Sequence, residues 1–246
     1  MHAATASTAG PLALVGSGEF TPAMAGVDRL LLEGRPGRVV FLPTAAGLEG
    51  AERIDEWVRL GRGHYEDLGM EPVPLPVVDR PSADDPDLAG QVEGAGLIYL
   101  SGGDPGYLAA TLAGTRVFDA ILAAWRAGAA LAGCSAGACA LTDVTFDAHP
   151  PLIRRPGLAV VPGLVVLPHF DGIDEWWPGI VDRWTEELEP GQVLVGIDER
   201  TALVGGPCRF QVHGVGAVWV VDADGRHRHP AGSEVDLSLA APLAGW

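Results

Sequence analysis

The run Ala129-Ala130-Leu131-Ala132-Gly133-Cys134-Ser135-Ala136-Gly137-Ala138 centres a serine in a Gly-x-Ser-x-Gly pattern. Apolar residues precede it and small residues follow, as in a buried strand that turns sharply into a helix. Such a turn lifts a hydroxyl above the carboxyl edge of a sheet. Gly133 and Gly137 remove side chains that would collide with the strained turn. N–H groups at the start of the next helix face the same spot and favour a developing oxyanion. The chemistry this suits is attack by Ser135 on a carbonyl carbon. A second loop, Ser101-Gly102-Gly103-Asp104, ends the apolar run Leu97–Leu100. Adjacent βα loops meet where ligands bind in open α/β sheets. Gly103 is therefore a candidate oxyanion donor beside the N–H of Ala136.

A serine nucleophile needs a base. Of seven histidines, His2 lies at the terminus, His64 in a helical segment, and His213, His227 and His229 in late strands or turns. His149 follows Ser135 closely and sits among Ala148 and Pro150-Pro151. His169 ends the run Leu164–Pro168 and precedes Phe170-Asp171-Gly172, 34 residues after Ser135. A histidine at a strand end before a turn is where a base on this edge belongs. A carboxylate must then hold its tautomer. Asp143, Asp147, Asp171, Asp174 and Glu199 qualify by type, and Asp147 is favoured. Cys134 adjoins the turn position and should point into the packed side as a small apolar residue.

Positioning these groups requires alternating strands and helices. Leu12–Gly16, Val39–Leu42, Val73–Val78, Leu97–Leu100 and Ala129–Ala132 read as short, continuously apolar strands, the pattern of a sheet covered on both faces. Pro74 and Pro76 demote the third to an edge or an irregular segment. Helical spacing marks Pro22–Gly34, Glu49–Leu68 and Val117–Arg126. Asp79–Pro86 reads as a loop. Beyond Asp143, strands at Leu164–Leu167, Val193–Ile197, Ala202–Val204, Arg209–Val212 and Ala217–Val221 surround one helix, Ile173–Leu188. The expected fold is α/β, a three-layer, doubly wound, mostly parallel sheet with antiparallel hairpin strands near the C-terminus. One domain over 1–246, with its core at about 12–221, accommodates all of this.

Composition bounds the partners. The chain carries 16 basic residues, all arginine, against 32 acidic ones, a net charge of −16. Such an acid excess disfavours nucleic acid. No apolar run reaches the roughly 18 residues of a membrane span. Met1-His2-Ala3-Ala4-Thr5 lacks the cationic start of a signal peptide. The spacing of Cys134, Cys139 and Cys208 forms neither a disulfide framework nor a metal pair. The expectation is a soluble, cytoplasmic protein without metal or organic cofactor.

Gly102-Gly103-Asp104, Gly133-Cys134-Ser135-Ala136-Gly137-Ala138 and Pro168-His169-Phe170 occur in an order and spacing that resembles peptidase family S51, the cyanophycinases and aspartyl dipeptidases. Val15-Gly16-Ser17-Gly18-Glu19 and Gly196-Ile197-Asp198-Glu199-Arg200-Thr201-Ala202-Leu203 are also similar to segments of that family. The resemblance covers about Leu12 to Val221. It implies a class I glutamine amidotransferase-like fold, Ser135 as nucleophile, His169 as base, and main-chain donors at Gly103 and Ala136. For the third member it implies either an aspartate between serine and histidine, here Asp147, or a glutamate as in cyanophycinases. Candidate substrate contacts are Asp104, Glu19, which could hold an amine or guanidinium, and Arg154, which with Arg155 could pair a carboxylate. Trp176-Trp177 suits a site wall or core packing.

The expected activity is hydrolysis of small peptides or isopeptides by a Ser-His-acid mechanism, with a homodimer compatible. Three alternatives stand beside it: an α/β-hydrolase esterase, a catalytically dead binding module on the same fold, and an amidotransferase-like enzyme using Cys134.

Overall fold

The computed structural model describes residues 9–148, 152–206, 209–222 and 224–237. Met1–Thr5, His149 with Pro150-Pro151, and Cys208 lie outside the described residues. The strands, in chain order, are β1 (Leu12–Val15), β2 (Arg38–Leu42), β3 (Glu71–Pro74), β4 (Leu97–Leu100), β5 (Ala130–Cys134), β6 (Thr142–Phe146) and β7 (Arg154–Pro156). They continue as β8 (Val161–Leu167), β9 (Val193–Ile197), β10 (Thr201–Gly205), β11 (Arg209–Gly214), β12 (Ala217–Asp222), β13 (Gly225–Pro230) and β14 (Glu234–Asp236).

Two sheets form. The first has the order β14-β11-β10-β1-β5-β4-β2-β3, with β1, β5, β4, β2 and β3 parallel. Its continuously apolar strands are covered on both sides. Leu12 and Leu14 of β1 enter one core, whereas Ala13 and Val15 enter another. Proline-rich β3 takes the edge, where its missing donors cost no ladder bond. The helix Arg116–Arg126 covers one face with Val117, Phe118, Ile121 and Trp125, all on one helical stripe. Each such side chain contributes about 1.5–3 kcal/mol by burial.

The second sheet has the order β13-β12-β9-β8-β6-β7. Its strands β8 and β9 share the larger core with the first sheet through Leu164, Val166, Leu194 and Val195. This departs from the expected single sheet: β10 and β11 extend the first sheet, while β12 and β13 extend the second. The cause is local. Only Asp198–Arg200 separates β9 from β10, and Arg200 adopts φ +53°, which swings the chain from one sheet to the other. The segment Ser135–Leu141 likewise joins β5 of the first sheet to β6 of the second.

Two further expectations change. Pro178-Gly179, with Gly179 at φ +76°, divides the expected helix Ile173–Leu188 into Ile173–Trp176 and Ile180–Glu186. Asp79–Pro86 is not all loop. Asp79 caps Arg80–Ala83 through a reciprocal contact with Ser82, and Asp85 caps Pro86–Gly90. Among the described residues no single helix is long and apolar enough to cross a membrane.

Candidate active site

β5 runs buried into Ser135, whose φ of +49° and ψ of −107° place it outside the regions L-residues favour. Such geometry costs on the order of 1–3 kcal/mol and persists only where the surroundings enforce it. The two glycines of the motif do so. A Cβ at Gly133 would lie 2.4 Å from the carbonyl of Gly137, and one at Gly137 would lie 2.2 Å from the carbonyl oxygen of Leu100. Only glycines let this short helix, Ala136–Ala140, nest against the ends of β4 and β5. The Ser135 N–H donates to Val15 O at 2.8 Å, which ties the turn to β1.

β8 delivers His169 from the second sheet. His169 sits at φ +51°, and Ser135 Oγ lies 3.0 Å from its Nε2. The other ring nitrogen, Nδ1, is 3.2 Å from Glu199 Oε1. Glu199 stands in the crossover between β9 and β10, and its neighbours fix that loop. Its N–H donates to Asp171 Oδ1 at 2.9 Å. Buried Asp198 accepts from Ala217 N–H and Trp219 Nε1–H, both at 2.9 Å, while desolvation holds its carboxyl above the ordinary carboxylate range. The Arg200 N–H donates to Ser17 Oγ. Gly16 permits the close approach, since a Cβ there would lie 2.1 Å from Asp198 O.

Asp147, the favoured acid, stands elsewhere. Its carboxylate takes two prongs from Arg155, Nε at 3.0 Å and Nη2 at 2.7 Å, and this pairing holds it below the usual carboxylate range. Arg155 lies on β7, opposite the end of β6, so the hairpin itself supplies the partner. Glu199, one of the carboxylates the sequence left in contention, takes the place beside the imidazole. The similarity of Gly196–Leu203 to family segments, together with the glutamate of cyanophycinases, is a signal that could have pointed there.

Gly103 and Ala136 both line a cavity of about 240 Å³ with Ser135, His169 and Trp176. Gly103 adopts φ +139° and lies so close to Ala45 that a Cβ would meet its carbonyl at 2.4 Å. Among the described residues neither N–H has a protein acceptor, so both are free for a ligand oxygen. Trp176 is half exposed, with its ring centroid 5.1 Å from that of His169. It walls the cavity rather than filling a core. A larger cavity of about 730 Å³ is lined by Asp104, Tyr107, Asp147 and Arg155 and contains none of Ser135, His169 and Glu199.

The expected substrate contacts are committed to the protein. Asp104 caps the helix Pro105–Leu112 through Tyr107 N–H at 2.7 Å and accepts from Ala148 N–H at 3.0 Å. Arg154 donates to Glu187 O at 2.7 Å and lies over Trp184. Glu19 accepts from Gly102 N–H and from the Cys134 thiol, both at 2.8 Å. Cys134 is fully buried, and desolvation with the adjacent Glu19 charge pushes its thiol well up, so it has no thiolate to offer. Among the described residues no cluster of three or more His, Cys, Asp or Glu could hold a metal ion.

The model of peptidase family S51 matches residues 12–206. The chain belongs to peptidase family S51. It is thus a serine-type peptidase, with the class I glutamine amidotransferase-like α/β architecture that its elements compose. The crystal structure of a peptidase from an acI-B1 Actinobacterium is similar over 94% of this chain and 98% of that one, at 37% identity and a TM-score of 0.86. A Listeria monocytogenes EGD-e protein provisionally assigned as a peptidase E is 21% identical, with a TM-score of 0.60 over 84% of this chain and 99% of that one, a likeness of fold. No curated protein matches.

Proposed function

We propose that this S51 peptidase hydrolyses small peptides or isopeptides, with Ser135 as nucleophile, His169 as general base and acid, and Glu199 as the carboxylate that orients the imidazole. The chain of contacts from Ser135 Oγ to His169 Nε2 to Glu199 Oε1, at 3.0 and 3.2 Å, carries the reading. Its order is the one acyl transfer requires. With Nδ1–H donating to Glu199, Nε2 is left unprotonated toward the hydroxyl. His169 takes the Ser135 proton as Oγ attacks the substrate carbonyl. The oxyanion then accepts from the N–H groups of Gly103 and Ala136. His169 Nε2–H protonates the leaving amine, and water, deprotonated by the same nitrogen, releases the acid product from Ser135.

The cavity supports a small substrate. About 240 Å³ falls below the ~300–1,000 Å³ of drug-sized ligand sites. Half-exposed Trp176 is suited to pack against the group next to the scissile bond. A dipeptide and isopeptide library, including Asp-X and β-aspartyl-arginine, tests the proposal against wild type and Ser135→Ala. Cleavage by wild type and none by a folded Ser135→Ala is the expected result. Equal cleavage by both would reject it.

A further inference from the structure

Resting on the serine-hydrolase reading above, we infer that Glu19 is a positioning residue that clamps the two loops supplying the oxyanion donors to one another. Its carboxylate spans them. Oε1 accepts from Gly102 N–H at 2.8 Å, one residue before Gly103. Oε2 accepts from the Cys134 thiol at 2.8 Å, one residue before Ser135 and two before Ala136. Fixing the Gly102 N–H orients the peptide whose successor carries the Gly103 N–H. Fixing Cys134 anchors the last residue of β5 before the strained turn. The two loops come from different strands, β4 and β5, and among the described residues no other side chain bonds both Gly102 and Cys134.

The surroundings suit a fixed carboxylate. A Cβ at Gly102 would stand 2.8 Å from Glu19 Oε1 and 3.6 Å from Ser135 Cβ, so a side chain there would crowd the carboxylate. The buried thiol remains protonated and can donate. The Gly16–Glu19 loop also meets the Glu199 crossover, where Ser17 Oγ accepts the Arg200 N–H. One short loop after β1 thus touches three of the four segments that carry catalytic groups, the His169 segment being the fourth. Oxyanion donors stabilise the transition state only when held in place before charge develops, so loosening them lowers turnover without weakening ground-state binding.

A small neutral alkyl fluorophosphonate, which reacts with Ser135 but has no group to bind a carboxylate, distinguishes a clamp from a substrate contact. For folded Glu19→Ala, judged by its melting transition, labelling of Ser135 and kcat for a cleaved dipeptide are expected to fall at least about tenfold, with KM within about threefold of wild type. Glu19→Gln, which retains an oxygen for Gly102 N–H, should recover much of the loss. An unchanged labelling rate with KM raised about tenfold would make Glu19 a substrate contact and overturn the clamp. So would a Glu19→Gln enzyme faster than wild type, since the charge would then merely oppose the oxyanion. Should Glu19→Ala fail to fold, Glu19→Asp decides, because the shorter side chain cannot reach both loops; undiminished labelling there also overturns the clamp. Absence of labelling in the wild type would instead defeat the serine-hydrolase reading.

Discussion

The carboxylate of Glu199 reaches Nδ1 of His169 at 3.2 Å from a loop 30 residues further along the chain. That loop is the crossover between the two sheets, and β8, which carries His169, lies beside β9, which leads into it. The meeting of these two side chains is therefore a consequence of strand order. Asp147 is closer to Ser135 in sequence but is held by Arg155 across a hairpin.

The two carboxylates should separate cleanly in kinetics. Glu199→Gln is expected to lower kcat by about 10²–10³-fold, less than the ~10⁴ known for a fully buried triad acid, because the Glu199 side chain is 40% exposed. Asp147→Asn should leave kcat within about threefold. Steady-state turnover of one cleaved dipeptide by both variants checks this, and a matching loss in Asp147→Asn would assign the role to Asp147.

Gly137→Ala should damage both fold and activity. Its Cβ would meet Leu100 O at 2.2 Å, so the helix Ala136–Ala140 must move away from β4. Overpacking of this kind costs about 1–3 kcal/mol. The same shift displaces the Ala136 N–H, so turnover should fall at least about tenfold. Urea denaturation and turnover measure the two effects independently.

Trp176→Ala should alter substrate affinity more than stability. The ring is half exposed and walls the cavity beside His169. KM is expected to rise several-fold with a smaller change in kcat, and the unfolding free energy to change by less than about 1 kcal/mol. Michaelis–Menten curves and a thermal melt check both.

A pH-dependent stability change is expected at the buried pair Asp28–His64, whose Oδ2 and Nε2 lie 2.7 Å apart. Burial raises the Asp28 carboxyl above its ordinary value of 3.8, opposed by its hydrogen bond to His64. A raised folded pKa means the group favours folding most below the unfolded pKa and loses that contribution as pH rises through the folded value. In His64→Leu the opposing hydrogen bond is gone and the folded pKa rises further. That variant should lose about 3–5 kcal/mol at pH 7 and regain part of it at pH 5, relative to wild type. Denaturation midpoints at the two pH values decide; a constant difference would show that Asp28 does not titrate with folding.

Ser135 and His169 were legible because each is announced locally, one by glycines around a strand-to-helix turn and the other by a strand ending in Pro-His-Phe. The parallel half of the first sheet was legible for the same reason, since continuously apolar runs report burial on both faces. Strand partners are a different matter. Periodicity at Val193–Ile197 and Ala217–Val221 marks strands but carries no record of which sheet receives them. The approach of Glu199 to His169 depends on that missing information. Glu19 was visible as a carboxylate beside a glycine turn, yet its partners Gly102 and Cys134 lie 83 and 115 residues away.

The most direct test of the account is mass-spectrometric mapping of fluorophosphonate adducts on wild type and on folded His169→Ala. A single adduct on Ser135, forming at least about 100-fold more slowly without the imidazole, is the expected result. Equal labelling in both proteins, or an adduct on another residue, would contradict activation of Ser135 by His169.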